Sequence, residues 1–268
     1  MITTGVAYHL GAGQASDFGP VLNTILGTGV ATAGALALNQ WAERDRDARM
    51  KRTKDRPLPS GRLGAGEALA FGFALVAAGV AYLAWSVGWL PAALTFASAA
   101  AYVLAYTPLK TRTYFATLVG AVPGAFPALI GWSAATGGLA LEAWVLFAIY
   151  FLWQLPHVLA LAWLLRDDYQ RAGFFMAPPT DPDGGRIGRH MVYHTISLIL
   201  VSAAPTPLGL TGNVYLVGAL LLGLAMLAVC VHAARHMSQK NARRVFLWSL
   251  LYQPLLLGLM LIDAAGGR

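Results

Sequence analysis

Asn39, Glu43 and Asp47 stand four residues apart, where the apolar run from Gly19 to Leu38 enters the most charged stretch of the chain. On a continuing helix each four-residue step turns about 400°, so the three side chains drift only about 40° per step and share one face. Two carboxylates and an amide oxygen on one face make a hard-oxygen site. Such a site suits Mg2+, which takes few protein ligands and completes its shell with water and phosphate oxygens. Just downstream, Arg49, Lys51, Arg52, Lys54 and Arg56 offer cationic groups for the outer oxygens of a phosphate. Acids for a metal beside bases for an anion suggest a metal–diphosphate site. The bases alone have a second reading, as the solvated anchor of a membrane span.

A second constellation lies between Phe151 and Met176. Asp167 and Asp168 follow a long apolar run and are expected at the end of that helix. The helix dipole opposes paired acids at a C-terminus. A cation should therefore compensate, either a metal ion or the neighbouring Arg166 and Arg171. His157 lies about two turns inside the same run, and an ionisable residue at that depth is a functional candidate. It ligates or hydrogen-bonds a bound group, shuttles a proton, or is a neutral core histidine. Gln154, three residues earlier, is its expected partner. His190 and His194 are four apart and form either a metal pair or an interfacial pair. His232 and His236 repeat that spacing and are read as interfacial. Tyr193 is a candidate pocket residue. His9 receives no role.

The elements that must hold these groups are membrane helices. The chain has 268 residues, 57% of them hydrophobic and only 12% charged, about half the charge of a soluble domain. The reading is all-α: a polytopic bundle of about eight to nine transmembrane helices. Spans are expected near 19–41, 65–87, 90–106, 114–135, 141–165, 191–211, 214–235 and 245–263. Residues 1–10 read as the tail of a first helix whose beginning is absent. Of 19 Lys and Arg residues, 18 fall in loops 42–64, 107–113, 166–190 and 235–244, and the exception is Arg268. The positive-inside rule puts those loops in the cytoplasm of a multi-pass cell-membrane protein and the C-terminus outside. Because the +7 net charge sits at the membrane face, a nucleic-acid partner is not expected. The single cysteine, Cys230, lies in an apolar span and reads as a small buried hydrophobe, so no disulfide forms within the chain. The two charged sites end spans four helices apart. The single domain, 1–268, is therefore expected to be two four-helix halves, about 1–113 and 114–244, with an extra helix at 245–263.

The residues around both sites resemble those of a known family. Asn39, Glu43, Asp47, Arg52, Thr53, Arg56, Pro57 and Leu58 are similar to the first signature of the UbiA superfamily of intramembrane prenyltransferases, with Glu43 in place of the usual Asp. Met50 resembles the haem O synthase (protohaem IX farnesyltransferase) branch. So do Trp153, Gln154, Pro156, His157, Ala160, Ala162, Asp168, Tyr169, Ala172, Gly173 and Met176. Segments 107–112 and 120–132 also look familiar in this family.

The resemblance implies farnesyl transfer from farnesyl diphosphate to haem B, which is a substrate rather than a cofactor. It implies Mg2+ on Asn39, Glu43, Asp47 and Asp168, and diphosphate held by Arg52, Arg56 and Lys110. Asp47, Asp168 and His157 become the catalytic candidates, and Trp153, Gln154 and Tyr169 the substrate pocket. A downstream haem-modifying enzyme is an implied partner. The alternatives are a similar enzyme with an aromatic or quinone-precursor acceptor, or a haem or anion transporter. A transporter would place charges at mid-membrane, whereas here the acids cluster at cytoplasmic helix ends.

Overall fold

A computed structural model describes residues 1–13, 18–178 and 181–264. Arg268, assigned above to the outer side, lies outside the described residues. The elements are α1 (Ile2–Ala12), α2 (Phe18–Asp47), α3 (Ala65–Ser86), α4 (Trp89–Ala100), a π-helical turn (Ala101–Tyr106), α5 (Thr107–Leu109), α6 (Ala116–Thr136), α7 (Leu141–Leu164), α8 (Arg166–Ala172), α9 (Gly185–Ser202), α10 (Asn213–Arg235) and α11 (Gln239–Ile262).

Among the described residues, seven helical stretches are long and apolar enough to cross a membrane: α2, α3, α4 through α5, α6, α7, α10 and α11. Outward side chains such as Phe71, Phe73, Trp85, Trp89, Phe96 and Leu200 are exposed, which suits lipid rather than water. The span expected at 191–211 is corrected. α9 begins earlier, at Gly185, and stops at Ser202, with turns following. Pro205 and Pro207 lack the N–H groups that a continuing helix needs. Residues 2–10 do fall in a helix, α1, and it packs on α6.

Packing runs as a circuit. α2 lies on α3, α3 on α4, α4 on α6 and α6 on α7. α7 then contacts α9 and α11, and α10 bridges those two. The α2–α3 seam is close because it is lined by glycine. A Cβ on Gly34 would stand 2.6 Å from the Gly72 carbonyl oxygen and 2.7 Å from the Val76 nitrogen. Small residues let membrane helices approach this way. Gly34→Val is therefore expected to destabilise the fold by about 1–3 kcal/mol or more. Gly66→Ala, where nothing lies within 4 Å, should be near neutral. Thermal unfolding in detergent checks both.

One departure from regular helix matters for the site. The span expected at 90–106 changes into a π turn over Ala101–Tyr106. Pro108, two residues past that turn's end, has no N–H, and its ring would crowd the Leu104 carbonyl in a regular helix. The Tyr102 carbonyl receives both the Thr107 N–H and the Thr107 hydroxyl, the latter at 2.9 Å. π turns often mark functional sites. Here the turn puts Tyr102, Tyr106 and Thr107 against α2.

Candidate active site

The charged end of α2 is helical to Asp47, so Asn39, Glu43 and Asp47 do lie along one helix, and all three are buried. Asn39 Nδ2 donates to Thr107 Oγ1 at 3.0 Å. Glu43 Oε1 meets Lys110 Nζ at 2.8 Å, with both side chains nearly enclosed, but no well-aligned hydrogen bond reaches that oxygen. Asp47 Oδ2 accepts from Arg56 Nη1 at 2.8 Å. Thr53 Oγ1 donates to the Asp47 carbonyl at 2.8 Å and bends loop 48–64 back over the helix end. Carboxylates out of water need such partners.

Three loops close over this cluster. Met50 is 1% exposed and plugs into Ala162, Ala172, Phe174 and Met176. That contact pins loop 48–64 onto the end of α7 and onto α8. Arg46 donates to the carbonyls of Ala172 (3.2 Å) and Gly173 (3.3 Å). The Phe175 N–H donates to the Lys110 carbonyl at 2.7 Å. The Lys51 N–H reaches Asp168 Oδ1 at 3.4 Å. Arg52 donates to the Tyr169 hydroxyl at 3.3 Å and lies over its ring. Burial pushes the Tyr169 phenol above its ordinary range, and the Arg52 charge offsets part of that. The phenol therefore stays neutral beside the guanidinium.

Below the roof, an apolar cavity of about 390 Å³ follows α2 into the membrane, within the range of small-ligand pockets. Thr28, Ala31, Thr32 and Ala35 line it on α2, the face that one turn later carries Asn39. From Thr28 to Asn39 the helix rises about 16 Å. Tyr102 and Tyr106 form the end nearest the acids, with their rings 5.4 Å apart. Lys110 Nζ stands 4.5 Å from the centre of the Tyr106 ring. Gly120 makes room for that ring, because a Cβ there would meet Tyr106 Cε2 at 2.5 Å. Gln154 and Val158 of α7 close another wall.

Two expectations are corrected. Asp167 and Asp168 do not end the apolar helix. α7 stops at Leu164, and both acids sit in the first turn of α8. Acids there are favoured by the helix dipole, so the dipole creates no need for a compensating cation. Asp168 instead pairs with Arg171, and Asp167 loosely with Arg166 at 3.6 Å. Gln154 is not the partner of His157. Its amide donates to the Ala121 carbonyl at 2.7 Å, while His157 Nδ1 pairs with Ser249 Oγ at 2.8 Å.

His157 lies between the rings of Trp153 and Phe246. Trp153 Nε1 donates to the Ser249 carbonyl at 2.8 Å. The structure thus places His157 and Trp153 on the α7–α11 seam, and neither lines the 390 Å³ cavity. His190 bonds Tyr114 rather than sharing a metal geometry with His194. The roles of Thr107, Tyr102, Tyr106 and Phe174 were not anticipated. The Thr-Pro pair at 107–108 is the one signal that could have shown the distorted turn.

The sequence pattern of the UbiA prenyltransferase family matches residues 1–251. The protein called protoheme IX farnesyltransferase of Solibacter usitatus (strain Ellin6076) is 49% identical, covering 99% of this chain and 94% of its own. Its namesake in Sorangium cellulosum (strain So ce56) is 43% identical over 90% and 86%. Among solved structures, a digeranylgeranylglyceryl phosphate synthase superposes with a TM-score of 0.82 at 15% identity, over 98% of this chain and 92% of that one. A UbiA homolog from Archaeoglobus fulgidus bound to GPP and Mg2+ superposes with a TM-score of 0.63 at 12% identity, over 97% and 94%.

Proposed function

The chain belongs to the UbiA prenyltransferase family, and from that premise we propose that it transfers a farnesyl group from farnesyl diphosphate to a vinyl group of haem B, giving haem O. The observation that supports this most is the stacking of a buried acid–base cluster on the mouth of a long apolar cavity. A diphosphate bearing a greasy tail has that same division.

Mg2+ fits the donor set. Asn39, Glu43 and Asp47 supply hard oxygens along one buried face, and Asp168 enters from the roof through its contact with Lys51. Among the described residues no three His, Cys, Asp or Glu side chains form a ready metal cage. Mg2+ asks for none, since it is usually held by one or two carboxylates plus substrate phosphates. Bound there, it would neutralise diphosphate charge and make the group able to leave.

The remaining work falls to the chain's own residues. Lys110 and Arg56, now paired with Glu43 and Asp47, lie where they can pass to phosphate oxygens, and Arg52 adds a third cation. The cavity wall excludes water from the tail. When the farnesyl C1–O bond breaks, its electron pair leaves with diphosphate. The faces of Tyr102 and Tyr106, rather than Trp153, lie beside the allylic cation. The vinyl π pair bonds to C1. Water then adds to the cation left on the vinyl carbon and releases a proton.

We place the roof in the cytoplasm from the asymmetry of the basic loops. The acidic ends of α2 and of the α7–α8 junction are read as matching positions of a duplicated unit. The test is an assay of purified protein with haem B, farnesyl diphosphate and Mg2+. A more hydrophobic haem should form, vanish with EDTA and return with added Mg2+. Metal-dependent release of diphosphate without a modified haem would move the acceptor elsewhere.

A further inference from the structure

A second cavity, of about 200 Å³, opens between α6, α7 and α9. Its walls include Tyr114, Thr117, Leu118, Leu155, Leu159 and His194. Thr117 also lines the 390 Å³ cavity, so the two spaces share it as a wall residue. Its hydroxyl is buried and has no hydrogen-bond partner among the described residues. We propose that this lateral pocket seats the haem acceptor: one edge of the porphyrin enters it, with His194 as the imidazole ligand of the iron. The site presumes the haem reading above and names where that substrate binds.

Four features select a haem rather than a lipid chain. Tyr114 keeps its proton, because burial and then the Asp181 charge push it up to about 12. Its hydroxyl pairs with His190 Nδ1 at 3.1 Å and so occupies that imidazole nitrogen. His194, one turn along α9, has only an edge contact with the His190 ring and no hydrogen bond among the described residues. A half-buried, unpartnered imidazole beside an apolar slot is a haem ligand in waiting. The pocket is too small for a whole macrocycle. It continues onto Phe115 and Tyr193, which are 66% and 59% exposed and offer flat aromatic surface toward the lipid. Arg112 and Arg189 are exposed and stand close in sequence to the lining residues Tyr114 and His190, so they are the cations available for haem propionates. A vinyl group at the inner edge would face the farnesyl cavity across Thr117.

The test titrates the full chain in lipid nanodiscs with haem B, followed by Soret absorption. Parallel titrations use farnesyl diphosphate with Mg2+. His194→Ala should alter the Soret band and weaken haem binding about tenfold or more. Leu118→Trp, which fills the pocket without touching a ligand, should weaken haem binding similarly. Both should bind farnesyl diphosphate like the wild type. If both variants bind haem with unchanged affinity and spectrum, this pocket is not the acceptor site, although the enzyme reading survives. If the wild-type chain binds farnesyl diphosphate but neither binds nor modifies haem B, the reading and the site fall together.

Discussion

Asp47→Asn is expected to lower metal-dependent turnover by about 10³-fold while the protein still folds. Asp47 is the most deeply buried of the α2 acids, at 2% exposure. Its carboxylate is the charge that closes the cluster nearest the roof. Asparagine keeps the shape and one oxygen but removes that charge. The fold should survive because the partner left behind, Arg56, is 38% exposed in its side chain and can turn to water. The loss should appear in kcat, since metal-assisted departure of diphosphate is the step that needs the charge. Steady-state assays in detergent across a Mg2+ titration check this. Turnover within tenfold of wild type would remove Asp47 from the metal set.

Lys110→Met is expected to cost about 10²- to 10³-fold in kcat/KM. Lys110 joins the site from 67 residues beyond Glu43, and its side chain is only 11% exposed. With no diphosphate bound it holds Glu43. With diphosphate bound it faces the developing negative charge, at a position where water cannot substitute for it. The variant carries a second consequence. Removing one partner of a buried pair typically costs about 3–5 kcal/mol, because the remaining charge is stranded. Adding Glu43→Gln should therefore restore most of the thermal stability and none of the activity. Because Glu43 belongs to the metal set, the double variant reads stability alone. The catalytic role of Lys110 is read from the single variant, where folded Lys110→Met protein with unchanged kcat/KM would leave Lys110 a structural role only.

What could be read from the sequence was local. The four-residue spacing put Asn39, Glu43 and Asp47 on one face because helical periodicity is set by the backbone, and α2 does continue to Asp47. Apolar runs long enough for a bilayer marked the major spans. What the sequence hid was longer-range or unpunctuated. Thr107 reaches Asn39 across 68 positions, and Ser249 reaches His157 across 92. No periodicity links such partners. The break at Leu165 carries no Pro or Gly. It is held by a local contact, Arg166 over the Trp163 ring at 4.2 Å, and by a tertiary one, Met50 wedged beside Ala162. Gln154 and His157 looked like partners because helical spacing brought them near each other. The neighbouring helices α6 and α11 offered each a better one. The early end of α9 was legible in Pro205 and Pro207, which cannot continue a helix however apolar the run around them.

The most direct measurement is the mass of the haem recovered after one turnover in lipid, with farnesyl diphosphate, Mg2+ and water labelled with oxygen-18. The predicted product is haem B carrying one farnesyl group and one labelled hydroxyl, with diphosphate released. Unmodified haem B accompanied by labelled farnesol would contradict the account, because the site would then ionise the donor and pass it to water alone.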